Sequence, residues 1–236
     1  IEGTTNGAEL TACIIPVKKL SGALSRIGGI IDQIEKTELS IAMLEDVLEV
    51  VISIGTLKPI VIVTRDPQVQ ALAKDASLEI IQEPINTKGE GPAVDFGTGQ
   101  LVEMGITRVL ILPSDVPHVK PEDLMAILGE DEEDRSVVMA PAHDGGTNAI
   151  LKQPPNIIPS RFGTNSLSLH IKDARDHNVS QKTMYLDSLY IDVDTPEDLK
   201  TVLALDGANR TKRIAVKLDL YKKLQTALSS KHRNPT

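Results

Sequence analysis

Three aspartates are the residues of this sequence best suited to chemistry. Asp115 stands in "VLILPSDVPHVKPEDL" (109–124), where an apolar run stops at Pro113-Ser114-Asp115 and a helix restarts near Pro121. Asp192 and Asp194 stand in "MYLDSLYIDVDTPEDL" (184–199), at the expected end of a late strand. Residues two apart in a strand share a face, so these two carboxylates sit side by side. They repel unless water, a cation or a basic side chain offsets them. An all-carboxylate set suits Mg2+ as a hard cation and does not suit zinc. Two of the acids also have a plainer reading: Asp115 as a turn residue, and Asp194 as the cap of the helix that begins in "DTPED".

A second group is cationic. "IPVKKLSGALSRIGG" (15–29) carries Lys18, Lys19 and Arg26 among small residues, directly after a strand-like run. Backbone N–H groups in such a loop can cradle phosphates while the cations neutralise them. The spacing is not that of a P-loop, and a solvated basic loop explains the stretch equally well. A third group is made of short donors. "DGGTNAI" (144–150) supplies Thr147 and Asn148, with Gly145 and Gly146 to permit close backbone approach, and "SRFGTNS" (160–166) supplies Thr164, Asn165 and Ser166. Ser166 falls where a helix starts, and free N–H groups there bind anions. Gly-Asn-Ser clusters also simply make turns. No Ser-His-Asp or Cys-His arrangement is legible, and the five histidines lack metal-ligand spacing.

These groups need elements to bring them together. Short β-branched runs at 11–17, 59–64, 77–82, 108–113 and 136–141 read as strands, with another at 147–152. Amphipathic stretches at 35–55, 66–76, 91–105 and 120–130 read as helices, followed by one from about 166. The alternation predicts an α/β fold: a mainly parallel central sheet with helices on both faces. Ligands of such sheets collect beyond the carboxyl ends of the strands, where Asp115 would lie. The tail "ANRTKRIAVKLDLYKKLQTALSSKHRN" reads as one basic amphipathic helix. Its stripe of Ile214, Leu218, Tyr221, Leu224 and Leu228 would pack on the parent domain or on a second copy of the chain.

Composition narrows the function classes. The 236 residues contain no Trp, two Phe and three Tyr, so the core must be aliphatic. A net charge of −8 argues against nucleic acid as a partner. Cys13 is the only cysteine, in the apolar run "TACIIPV", and reads as buried and inert. No apolar run has the length of a membrane span and no signal-peptide pattern is legible, so no membrane partner and a cytoplasmic location are expected.

In order along the chain, "IPVKKLSGALSR", "AMLEDVL", "LPSDVP", "GGTNAI", "SRFGTNSLSLH" and "IDVDTPEDL" resemble the guanylyltransferases of coenzyme F420 biosynthesis. That family is described as 2-phospho-L-lactate guanylyltransferase, with members that use phosphoenolpyruvate or 3-phosphoglycerate. The resemblance implies a Rossmann-like (GT-A-like) nucleotidyltransferase fold and GMP transfer from GTP to a phosphorylated three-carbon acid. It implies Mg2+ held by Asp115, Asp192 and Asp194, with Asp115, Lys18 and Arg26 as the catalytic set. Thr147, Gly163 and Ser166 would surround the acceptor carboxylate, with Gly146, Asn148 and Arg161 as further substrate-binding candidates. It divides the chain into an N-terminal extension (1–10), a nucleotidyltransferase domain (11–206) and a basic C-terminal helix and tail (207–236). A homodimer, and delivery of the product to the next F420-pathway transferase, complete the expected partners. Two positions depart from the family pattern. Leu24 replaces the basic residue of "A-K-S-R", leaving Lys19 or Arg26 to cover for it, and Gly91-Pro92-Ala93 lacks the Asn of "G-L-N". Two alternatives remain open on sequence: transfer to another acceptor, such as a sugar phosphate or molybdopterin, and a catalytically silent nucleotide-binding homologue.

Overall fold

The computed structural model describes residues 11–27, 29–130 and 134–231; the N-terminal extension expected at 1–10 lies outside them. Seven strands form one sheet: β1 (Thr11–Pro16), β2 (Leu57–Val63), β3 (Glu79–Ile81), β4 (Arg108–Ile111), β5 (Ser136–Pro141), β6 (Thr147–Gln153) and β7 (Ser180–Thr183). Their order is β3-β2-β1-β4-β6-β5-β7. All neighbours pair in parallel except β6, which runs antiparallel to both β4 and β5.

The described residues form eight α-helices: α1 (Gln33–Ser53), α2 (Pro67–Asp75), α3 (Glu90–Glu103), α4 (Pro121–Leu128), α5 (Ser166–Asp176), α6 (Pro196–Ala204), α7 (Arg210–Lys217) and α8 (Leu220–Lys231). Their starts are written in the sequence. Asp32 and Glu35 form a reciprocal capping box on α1, and Thr195 and Asp198 form another on α6. Asp66 caps α2 ahead of Pro67. Such caps contribute about 1 kcal/mol each.

Strand period decides the layers. On β1, Cys13 and Ile15 face one core with α1 and α4, whereas Ala12 and Ile14 face the other with α3. On β4, Leu110 faces the first core, and Val109 and Ile111 the second. Every residue of β1 is buried, as a central strand covered on both faces requires. A third cluster joins Ile27, Leu39 and Met43 to Val193, Leu199 and Val202, and to Ala215, Leu220 and Leu224 of the last two helices.

Two expected elements differ. The late strand expected to end on Asp192 and Asp194 lies earlier, as β7, and carries neither acid. Residues 191–194 are irregular and follow a short 3-10 turn at Asp187–Leu189. One hydrogen bond, Val193 N–H to the Asp115 carbonyl (2.9 Å), ties this segment to the end of β4. The expected single basic helix is two, α7 and α8, broken where Asp219 takes φ +53°. Ile214, Leu218 and Leu224 of its stripe still pack on the third cluster.

Candidate active site

The strand order reverses between β1 and β4, and the cleft opens beyond their carboxyl ends, where the reversal leaves a crevice. Its volume is about 370 Å³. β1 delivers Lys18 and the loop behind it; β4 delivers Pro113, Ser114 and Asp115. Because β6 is antiparallel, its first residues, not its last, reach this edge, and so Thr147 and Asn148 join the same cleft.

Asp115, Asp192 and Asp194 each present a carboxylate oxygen within 4.8 Å of the others. Asp115 Oδ1 is buried and has no hydrogen-bond partner. Burial, then the charges of Asp192, Glu90 and Asp194, raise the Asp115 carboxyl well above the ordinary range. Burial also raises Asp192, although Asn148 Nδ2 donates to its Oδ1 (3.0 Å). The same Asn148 amide donates to the Leu189 carbonyl (2.9 Å), which fixes the irregular segment to β6. An orphaned buried oxygen among three converging carboxylates fits a divalent cation, which would supply the missing positive partner. Arg26 is the nearest cation to the trio, with Nη1 2.8 Å from Asp194 Oδ2.

Much of the β1–α1 loop is held by its own hydrogen bonds. It makes two 3-10 turns, Leu20–Gly22 and Ser25–Ile27, and Asp66 Oδ2 accepts from Leu20 N–H (2.9 Å). Lys18 reaches Glu90 Oε2 at 2.7 Å; burial opposes its charge, but Glu90, Asp115 and Asp194 raise it. Leu24 adopts φ +51°, costly for a residue with a side chain, and packs against the third cluster. Of the two cations expected to cover for it, Arg26 lines the cleft and Lys19 does not.

On the opposite wall the donors divide. Gly146, Thr147, Asn148 and Gly163 line the cleft; Arg161 and Ser166 do not. Arg161 turns outward to Asp173 Oδ2 (2.9 Å). Ser166 is buried behind Thr147, its hydroxyl 3.2 Å from Thr147 Oγ1. The anion site expected at the start of α5 is partly spent, since Ser166 N–H donates to the Gly163 carbonyl and Leu167 N–H to the Gly145 carbonyl. The segment before α5 is pinned from below. Lys152, fully buried on β6, donates to the Ile158 carbonyl (3.1 Å) and Ser160 Oγ (3.0 Å), and Asp95 accepts from Ser160 N–H (3.0 Å). Gly91 passes so close that a Cβ there would lie 2.4 Å from the Ser160 carbonyl oxygen. This explains the glycine of Gly91-Pro92-Ala93, and Ala93 faces the core.

Sequence reasoning missed Glu90, Asp144 and Phe162, which also line the cleft. Glu90 was legible as the first residue of α3 in "GEGP", one step past a Gly at the sheet's ligand edge. Asp144 gave no signal apart from its turn, where its Oδ1 accepts from Gly146 N–H (2.8 Å). Cys13 is buried and pushed up to about 12 by desolvation, so it takes no part. Among the described residues no helix is long and apolar enough to cross a membrane.

Residues 11–233 match the family model described as "Guanylyl transferase CofC like". The phosphoenolpyruvate guanylyltransferase of Conexibacter woesei is 33% identical over 202 residues, spanning 85% of this chain and 90% of that protein. The 2-phospho-L-lactate guanylyltransferase of Methanocaldococcus vulcanius is 26% identical, spanning 88% and 91%. Among solved structures, a putative nucleotide-diphospho-sugar transferase from Desulfovibrio desulfuricans superposes with a TM-score of 0.76 at 16% identity, over 92% of this chain and 98% of that one. That likeness concerns the fold.

Proposed function

The chain belongs to the CofC-like guanylyltransferase family, and from that premise we propose that it transfers GMP from GTP to a small phosphorylated three-carbon acid in coenzyme F420 biosynthesis. The observation that carries the reading is the convergence of Asp115, Asp192 and Asp194 within 4.8 Å, between a cationic loop and a wall of hydroxyl and amide donors. Two polyanions must meet in such a reaction, and the cleft is built to manage charge.

An oxygen of the acceptor phosphate attacks the α-phosphorus of GTP. The new P–O bond forms as the bond from the α-phosphorus to the bridging oxygen breaks, and that oxygen leaves with pyrophosphate. The attacking phosphate is already ionised at neutral pH, so the step needs no general base. Lys18 and Arg26, which pair with Glu90 and Asp194, would share their charge with the nucleotide phosphates. Asp115, Asp192 and Asp194 would hold Mg2+, which would screen the phosphates from each other and stabilise charge growing on the α-phosphate. Thr147 would meet the acceptor from the wall opposite the cationic loop, Asn148 would act through the Asp192 that its amide holds, and Gly163 would let the acceptor approach the backbone closely. Positioning supplies much of the rest of the rate.

Pyrophosphate release is the test. Purified protein with GTP is assayed against phosphoenolpyruvate, 2-phospho-L-lactate and 3-phosphoglycerate, with and without Mg2+. Release with one acid that requires Mg2+ supports the proposal. Release only with a sugar phosphate would move the protein to another acceptor class. GTP binding without turnover on any acceptor would identify a silent homologue.

A further inference from the structure

His170 is almost fully buried on α5, outside the cleft, and both its ring nitrogens are engaged. Arg161 N–H donates to Nε2 at 2.9 Å. A backbone N–H can only donate, so Nε2 must be the bare nitrogen and the ring proton must sit on Nδ1. Nδ1 lies 3.1 Å from Thr147 Oγ1, so it donates to that oxygen. The consequence is a matter of counting protons. Thr147 and Ser166 have one hydroxyl proton each, and one is used in the bond between them. Ser166 is buried and does not line the cleft, so its proton is the one used. Thr147 then accepts twice, from the ring and from Ser166, and its own O–H is left to point into the cleft. With the other tautomer, Nδ1 would consume the Thr147 proton and Nε2–H would face the Arg161 N–H.

We propose that His170 is a positioning residue for the acceptor: held as the Nδ1–H tautomer by the Arg161 amide, it obliges Thr147 to act as a hydrogen-bond donor toward the acceptor's anionic group. This inference rests on the functional reading above and names how one wall of the cleft recognises the acid. It also gives the "SRFGTNSLSLH" stretch a physical reason for its spacing, because residue 161 holds the ring of residue 170, and that ring and Ser166 together meet Thr147. The charged groups facing the ring are Lys152 from β6, Arg161 from the preceding loop and Asp173 from α5. Desolvation, then Lys152, hold the ring down to about 4, with Asp173 opposing and Arg161 assisting, so it stays neutral across the working pH range.

The test has two parts. A two-bond 1H–15N correlation spectrum of histidine-labelled wild type, with His170 assigned by its loss in His170→Met, reads the tautomer directly. A proton on Nδ1 is expected, and a proton on Nε2 overturns the proposal. Steady-state kinetics of His170→Met, Thr147→Val and the double variant then read the consequence. The KM for the acceptor acid should rise on the order of 10-fold in each single variant, as for one lost hydrogen bond to a charged group. The KM for GTP should change less than about 2-fold, and the double variant should be no worse than the singles. If His170→Met fails to fold, the His170 signal is assigned by elimination from single substitutions of His118, His143, His177 and His232, and Thr147→Val and the spectrum still decide. Additive losses, or equal losses for GTP and acceptor, would mean a merely structural histidine and overturn the inference. Absence of turnover by wild type on every acid overturns the functional reading and this inference with it. Wild-type turnover with an unchanged acceptor KM in Thr147→Val overturns this inference alone.

Discussion

Replacing Asp115 by asparagine should stabilise the metal-free protein and abolish its response to Mg2+. Two unit charges 4.8 Å apart repel by about 3.5 kcal/mol at an effective dielectric of about 20, and by about 0.9 kcal/mol in water. Asp194 is 46% exposed and paired with Arg26, so its share lies near the lower figure. Asp192 is more enclosed, with a side chain 17% exposed, and its share lies between. Asp115→Asn therefore removes about 1–3 kcal/mol of repulsion and offers N–H donors to the two remaining carboxylates. For a chain of this size that is a rise in Tm on the order of 5 °C in EDTA at pH 7. The pH dependence has a definite sign. The folded Asp115 carboxyl holds its proton to higher pH than the unfolded one. Wild-type stability thus falls as pH rises from about 4 through the raised folded value, and the variant is spared that loss. The gap between the two melting curves should open upward from about pH 4. Mg2+ should raise the wild-type Tm and leave the variant's unmoved. Thermal melts of both proteins from pH 4 to 8, with EDTA and with Mg2+, supply the measurement. A variant that melts no higher than wild type in EDTA at pH 7 would refute the reasoning, because the three charges would then impose no strain for a cation to relieve.

Asn148→Ala unties Asp192 from β6, and the affinity for Mg2+, read by titration against the thermal shift, should fall about 10- to 100-fold, as for loss of other groups that orient a metal ligand. Gly91→Ala forces a Cβ against the Ser160 carbonyl, which is backbone and cannot swing away; a cost of about 1–3 kcal/mol should appear as a lower denaturation midpoint, with a higher acceptor KM from the shifted 160–163 segment.

Much of this molecule could be read from residue types and spacing. β1 and β4 announced themselves as apolar runs, since strands buried on both faces cannot alternate, and the helix starts at Asp32, Asp66 and Thr195 carried their caps openly. The trio of acids was legible, but the reason for its geometry was not. Asp192 and Asp194 were expected on a strand, yet no ladder holds them; one bond from Val193 and two from Asn148 do. Such cross-chain ties leave no local pattern. The same holds for Ser166, whose place at a helix start suggested an anion site. Whether its N–H is free depends on the Gly163 carbonyl, which only the folded loop brings near. Arg161 was a substrate-binding candidate, and Asp173 twelve residues later turns it outward.

The third core cluster has a temporal consequence. Ile27 at the end of the phosphate-side loop and Val193 between two of the acids rest on Ala215, Leu220 and Leu224. Asp46 of α1 binds the first two N–H groups of α7, and Asn209 donates to the Pro117 carbonyl just beyond Asp115. During synthesis, then, a nascent chain can close its sheet long before it can hold the reactive groups still. Synthesis stopped near residue 206 would therefore leave Ile27 and Val193 without the helices on which they rest.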